Sequence, residues 1–225
     1  MKAVAIIPAR GGSKGIPRKN LAMLDGITLL QRTVSEAQLS HYIGEVMVST
    51  DDLEIFKAAD LYGATAIRRP AELSTDYSPS EDAVRHALGS LEESPDVIVM
   101  LQCTSPFRAP DDLDNAIRMV MDGGYDSVLS CVAQNQFVWN DHGRGAWSVN
   151  YDPVAGQRPM RQSVKSYIEN GSIYVFKRWV FEHHGSRLGG KIGVYVMQSR
   201  WSAIEIDDPE DLELARWVVE SGREP

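Results

Sequence analysis

Residues 4–20, Val4-Ala5-Ile6-Ile7-Pro8-Ala9-Arg10-Gly11-Gly12-Ser13-Lys14-Gly15-Ile16-Pro17-Arg18-Lys19-Asn20, decide how the chain folds. Val4 to Ile7 is a short apolar run, the composition of a strand buried on both faces. It opens into a loop that holds Gly11, Gly12 and Gly15 among Arg10, Lys14, Arg18 and Lys19. Glycines let backbone N–H groups approach an anion closely, and Arg and Lys compensate its charge. The loop therefore suits a phosphate, with the four cations as candidate ligands of a triphosphate. It is neither common phosphate fingerprint. Ile16 after Gly15 breaks the GxxxxGK[ST] pattern, and the glycine spacing is not GxGxxG. An ordinary strand-to-helix turn is the bland alternative, and four cations clustered in a chain of net charge −8 count against it.

Outward from this loop, strands and helices alternate. Strands are expected over 3–8, 45–49, 64–68, 96–102 and 127–132, and helices over 29–40, 52–61, 80–92 and 111–121. Thr28 and the Thr50-Asp51-Asp52 stretch supply helix caps. This rhythm predicts βαβ units and a mainly parallel sheet covered on both faces. It breaks at 134–165, a polar, turn-rich excursion carrying Phe137, Trp139, Trp147 and Tyr151. An excursion of that length is functional or packed on something else. Sheet-like runs resume at 171–176 and 192–197, and Asp208-Pro209 starts a closing helix.

In open α/β sheets, ligands sit beyond the carboxyl ends of the strands. Those ends carry residues 10–19, Ser49–Asp51, Gln102–Ser105 and Glu205–Asp207, so polar clusters from distant parts of the chain converge. Gln102, Thr104 and Ser105, three hydrogen-bonding side chains after the most hydrophobic strand, suit a hydroxyl-rich ligand. In Ile204-Glu205-Ile206-Asp207, period-two geometry puts both carboxylates on one face. Such a pair suits Mg²⁺, which takes oxygen ligands and bridges substrate phosphates. The competing reading is that Asp207 or Asp208 only caps the last helix, and for Asp208, followed by Pro209, capping is preferred.

Composition narrows the class. With 23 Lys and Arg against 31 Asp and Glu, the chain lacks the basic surface of a nucleic-acid binder. At 225 residues it can bury a substantial core as one domain. Cys103 and Cys131 form no CxxC pair, which argues against zinc and for a reducing, cytoplasmic setting. No apolar run approaches the ~20 residues needed to cross a bilayer, and the N-terminal run is too short for a signal peptide.

The 7–20 stretch resembles the signature of the N-acylneuraminate cytidylyltransferases, the CMP-sialic acid synthetases. Ser49-Thr50-Asp51, Arg69-Pro70-Ala71-Glu72-Leu73, Gln102-Cys103-Thr104-Ser105-Pro106, Asn170-Gly171-Ser172-Ile173-Tyr174 and Ile206-Asp207 follow in family order. The resemblance implies a Rossmann-like, three-layer αβα nucleotidyltransferase spanning 1–225. Its 134–165 segment would be an insertion for dimerisation and sugar binding. It further implies Arg10, Lys19 and Asp207 as catalytic residues, and Ala9, Gly11, Gly12, Ser13, Asn20, Arg69 and Ser78 at the nucleotide. Gln102, Thr104, Ser105, Arg161, Gln162, Asn170 and Tyr174 would hold the sugar, with Arg158 and Lys165 as further carboxylate ligands. Asp207 and Glu205 would hold Mg²⁺, and the protein would be a homodimer acting on CTP and an acidic 2-keto sugar.

The chain departs from the family at four places. Glu205 stands for the first of two metal-binding aspartates and Cys103 for a proline. Gln134-Asn135-Gln136 stands for a His-rich stretch, and the Arg-Gln stretch before Asn170 is one residue short. The last two fall where the sugar is read. The alternatives are therefore legionaminic, pseudaminic, deaminated neuraminic or eight-carbon acids, or GTP as donor. A non-catalytic nucleotide-binding homologue is the rival from another class. A glycosyltransferase would need a D-x-D metal site, and Asp112-Leu113-Asp114 falls in the expected 111–121 helix.

Overall fold

The computed structural model describes residues 2–91, 95–154 and 158–225. The chain runs β1 (Ala3–Pro8), β2 (Met23–Leu24), β3 (Ile27–Thr28), α1 (Leu29–Leu39), β4 (Ile43–Thr50), α2 (Leu53–Leu61), β5 (Thr65–Arg68), α3 (Ser80–Leu88) and β6 (Val97–Leu101). It continues α4 (Asp112–Met121), β7 (Ser127–Gln134), β8 (Trp139–Asp141), β9 (Ala146–Ser148), β10 (Ser166–Lys177), α5 (Arg178–His184), β11 (Ile192–Met197) and α6 (Pro209–Glu220). Seven strands form the central sheet in the order β11-β7-β10-β6-β1-β4-β5. Only β10 runs antiparallel to its neighbours, β6 and β7.

Alternation along the strands explains the layering. Ala3, Ala5 and Ile7 of β1 and Val97, Val99 and Leu101 of β6 face the core shared with α1, α2, α4 and α6. Val4, Ile6, Ile98 and Met100 face the opposite core, which α3 and α5 close with Val84, Ala87 and Phe181. The central strands are apolar on both faces, so they read as unbroken hydrophobic runs. The result is the three-layer αβα arrangement the rhythm implied.

From β1 the chain adds β4 and then β5 on one side, and then returns to place β6 on the other side of β1. The carboxyl ends of β1 and β6 thus flank a crevice where the order reverses, the usual ligand position in such sheets. The excursion departs at the end of β7 and holds the β8–β9 hairpin. It returns through β10, which begins five residues earlier than the sequence indicated, at Ser166. A register shift between Glu169 and Tyr174 lets β10 bend, with Gly171 at φ +68° inside it. The helix expected over 80–92 ends at Leu88, and its last expected residue, Glu92, lies outside the described residues. Helix α5, over Arg178–His184, is not announced by the sequence pattern. It is a short turn of chain held by Val180 and Phe181 against the sheet.

Candidate active site

A cavity of about 470 Å³ opens at the crevice between β1 and β6. Three segments wall it: the loop after β1, the 69–80 loop after β5, and Gln102–Thr104 after β6, with Asp207 at its rim. Of the residues picked from sequence, Arg10, Ser13, Lys19, Asn20, Arg69, Ser78, Gln102, Thr104 and Asp207 line it, together with Lys14.

The loop after β1 is held from below. Ala9 is fully buried, and its N–H donates to Ser49 O at 2.9 Å. The Gly11 N–H donates to Asp51 Oδ1 at 3.0 Å, and Asn20 Nδ2 donates to Arg10 O at 3.0 Å. Asn20 is buried, so here it acts on the loop's own backbone. Gly11 and Gly12 lie in the loop but outside the cavity wall. Gly15 has a different function from the one its position suggests. A Cβ there would stand 2.0 Å from the Asp207 carbonyl oxygen, so only glycine allows the cationic loop to lie on the acidic segment.

Each loop cation faces a carboxylate. Lys19 Nζ lies 2.7 Å from Asp207 Oδ1, with the lysine side chain only 12% exposed. Arg10 and Lys14 share Asp76, at 3.0 and 2.9 Å. Arg18 pairs with Asp52 and Glu54, away from the cavity. Arg69 is buried, its Nε donating to Ser74 Oγ at 2.9 Å, and burial lowers its pKa. Ser78 Oγ accepts from the Thr75 N–H at 3.1 Å and folds the same loop.

Glu205 and Asp207 flank the buried Ile206, whose N–H donates to Thr104 O at 2.7 Å. Segment 204–207 pairs in no strand, yet it keeps the alternation, and both carboxylates are exposed on either side of Ile206. Thr104 Oγ1 donates to Glu205 Oε1 at 3.4 Å. Desolvation first, and then the neighbouring Asp207 charge, raise the Glu205 pKa. A carboxylate held uneasily beside another carboxylate fits a divalent cation, since Mg²⁺ needs only one or two such ligands beside water and phosphate. Among the described residues no group of three or more His, Cys, Asp and Glu is placed to bind a metal by itself. Asp208 is a cap: its Oδ1 accepts from the Asp211 N–H at 3.0 Å, and Asp211 Oδ2 accepts in return from the Asp208 N–H at 3.1 Å.

The structure does not bring the remaining sugar-site choices to the cavity. Ser105 is buried and donates to Asn170 O at 3.1 Å. Asn170 is buried too; its Nδ2 donates to Ser202 O at 2.8 Å and its Oδ1 accepts from Ser130 Oγ at 2.6 Å. These amide and hydroxyl groups tie β10 to β7 and to the 200–203 turn. Tyr174 is buried, with its hydroxyl donating to Glu169 and Arg187 stacked 4.3 Å above its ring. Burial, and then that hydrogen bond, push its pKa upward. Arg161 and Gln162 are exposed on the excursion and line no part of this cavity.

Two positioning residues went unnoticed in the sequence. Asp76 lies in the polar loop between Arg69 and Ser78, where only its charge could have marked it. Arg108 is almost wholly enclosed. It donates to Glu36 Oε2 and to Gln102 O, both at 2.6 Å, and to Ser172 O at 3.2 Å. It thereby fixes the backbone that presents Gln102. Cys103, where a proline was expected, is buried, and burial pushes its thiol up to about 12. It is a packing group here. Asp112 and Asp114 of the D-x-D string bind Tyr195 and Ser40 respectively, within structure rather than around a cation.

The profile of the family described as "Cytidylyltransferase" matches residues 4–221. The chain belongs to the cytidylyltransferase family. It is 38% identical over 213 residues to N-acylneuraminate cytidylyltransferase A of Danio rerio, covering 91% of this chain. The chain spans about half the length of that curated relative, 49%. It is 29% identical over 240 residues to the pseudaminic acid cytidylyltransferase of Campylobacter jejuni, covering 100% of this chain and 99% of that one. Among solved structures, a CMP:2-keto-3-deoxy-manno-octonic acid synthetase complexed with CTP superposes with a TM-score of 0.72 at 21% identity. It covers 99% of this chain and 100% of that one. At that identity the match speaks to the fold, and it agrees with the sheet described above.

Proposed function

We propose that this cytidylyltransferase-family chain joins CTP to a nine-carbon 2-keto acidic sugar of the sialic acid type, giving the CMP-sugar and pyrophosphate. The observation that carries this reading is the meeting of opposites at one crevice. A loop with Arg10, Lys14 and Lys19 lies directly against a segment with Glu205 and Asp207. The anomeric hydroxyl attacks the α-phosphorus, and pyrophosphate departs as negative charge builds on it. Arg10, Lys14 and Lys19 are positioned to bind that charge. Ser13, Asn20, Arg69 and Ser78 shape the nucleotide side of the cavity, and Gln102 and Thr104 offer hydrogen bonds to the sugar. Ala9, Gly11 and Gly12 serve the loop's backbone. Asp207 and Glu205 are the residues that would hold Mg²⁺, which when bound offsets phosphate charge. Arg161 and Gln162 are exposed and line no part of this cavity, in keeping with use in the site of a second copy in a homodimer. The two free thiols, Cys103 and Cys131, fit a cytoplasmic setting.

A second reading keeps the chemistry and changes the acid to pseudaminic or another ulosonic acid. Gln134-Asn135-Gln136 at the start of the excursion favours it, because that is where the family pattern lapses. The test measures pyrophosphate release with Mg²⁺, crossing the four nucleoside triphosphates with a panel of 2-keto sugar acids. Release that needs CTP and a sialic acid is expected. Asp207→Ala should then lower kcat about a hundredfold or more and shift Tm by less than about 4 °C, since it loses only one partly exposed ion pair. Release with another acid selects the second reading, and release with GTP alone changes the donor. CTP binding without any release would identify a non-catalytic nucleotide-binding homologue.

A further inference from the structure

Among the described residues, Asp76 is the only carboxylate that touches two cations of the loop after β1. One oxygen lies 3.0 Å from Arg10 Nη1 and the other 2.9 Å from Lys14 Nζ. That is how a bridging phosphate oxygen pair would be held. Arg10 also donates to Thr75 O at 2.9 Å, so the same loop satisfies both its charge and its geometry. Asp76, Arg10 and Lys14 all line the cavity, whereas Asp52 and Glu54, the partners of Arg18, do not. The 69–80 loop is anchored at its base by buried Arg69, whose N–H donates to Thr50 O at 2.7 Å. Its tip is open to solvent, with Tyr77, next to Asp76, 94% exposed. A triphosphate and the Asp76 carboxylate cannot both occupy the same two cations without like-charge repulsion.

We propose that Asp76 is a built-in stand-in for a phosphate group, holding Arg10 and Lys14 until the triphosphate displaces it and returning to them to expel pyrophosphate. The inference rests on the nucleotide reading above and adds a residue that sets anion affinity and release. Asp76 thereby keeps two neighbouring cations from repelling each other in the free protein. It also raises the threshold an anion must pass, so weak anions are rejected and a multiply charged phosphate is accepted.

The experiment titrates inorganic pyrophosphate and, separately, CTP into wild type, Asp76→Asn and Glu72→Gln by calorimetry. Glu72→Gln makes the same charge change in the same loop, outside the cation pair. Asp76→Asn is expected to bind pyrophosphate about two- to tenfold more tightly, as loss of two exposed ion pairs allows. Glu72→Gln is expected to match wild type. In turnover, Asp76→Asn should lower KM for CTP and strengthen inhibition by pyrophosphate, with kcat no higher than wild type. Pyrophosphate bound no more tightly by Asp76→Asn than by Glu72→Gln overturns the inference, and weaker binding does so too. Wild type that binds both ligands while Asp76→Asn is unchanged leaves the nucleotide reading intact. Wild type that binds neither removes both.

Discussion

At the scale of single residues, Glu205, which accepts from the cavity residue Thr104, is a carboxylate whose surroundings oppose its charge. Its pKa is raised from 4.5, by burial first and by Asp207 second, although Lys19 and Thr104 act in the other direction. A carboxyl whose pKa the fold raises is favoured in its protonated form. It supports the folded state below the ordinary value, and that support is lost as pH rises through the raised value. Glu205→Gln has no charge to acquire. In chelator, its Tm should match wild type at acid pH and exceed it by about 1–3 °C at neutral pH, a small effect because the group is only partly buried. Mg²⁺ should then raise the Tm of wild type and leave the variant nearly unchanged. Thermal scans across pH, with and without the ion, check this, and a Tm gap independent of pH would refute it. This residue also marks the limit of sequence reading. The alternation of Glu205 and Asp207 was legible, and the structure keeps both exposed around Ile206. Nothing in the spacing showed that Gly15 would meet the Asp207 carbonyl, because that contact depends on two segments nearly the whole chain apart.

Elements carry those residues to their places, and α6 does so most directly. Asp208 caps it, Pro209 opens it, and Asp211 accepts from both the Asp207 and Asp208 N–H groups, at 2.9 and 3.1 Å. The cap therefore fixes the backbone of Asp207 as well as the helix. Asp208→Ala should cost about 1 kcal/mol, lowering Tm by about 2–4 °C, and should weaken Mg²⁺ binding through Asp207. A rise in the Mg²⁺ concentration needed for half-maximal turnover, with KM for the sugar acid unchanged, is the expected pattern. A Tm loss without that rise would confine the cap to stability. Helices such as α1 and α2 are legible because apolar positions recur and caps precede them; Thr28 accepts from the Gln31 N–H at 3.0 Å and Asp52 from the Glu54 N–H at 2.7 Å. The β2–β3 hairpin was missed although its signal was present. Asp25 and Gly26 both take positive φ, 54° and 75°, the requirement of a two-residue turn that Asp-Gly meets. Strand β10 was half-missed for another reason. Ser166–Glu169 lie on its exposed, bulged half, where no buried face disciplines the pattern.

For the whole molecule the unresolved balance lies in the excursion. Trp139 pairs with Ser148 and Asn140 with Trp147, so the two tryptophans project from opposite faces of the β8–β9 hairpin. Each is 45% exposed, and Ile168 and Tyr167 at the start of β10 are similarly open. Tyr151 covers one face only in part, with its ring centroid 5.8 Å from Trp139, and His142 lies 4.7 Å from Trp147 on the other. A two-stranded hairpin is marginal alone in water, and one with an aromatic group on each face gains by being covered. We propose that a second copy of the chain is that cover, which would bring Arg161 and Gln162, exposed and outside the lining of their own cavity, to another one. Light scattering should therefore give twice the 25.0 kDa chain mass. Trp147→Asp should give a monomer that still binds CTP but shows KM for the sugar acid raised about tenfold or more, as loss of an aromatic anchor implies. A monomeric wild type with full turnover would remove the shared site, and the sugar's carboxylate would then have to be held by cations of the same chain.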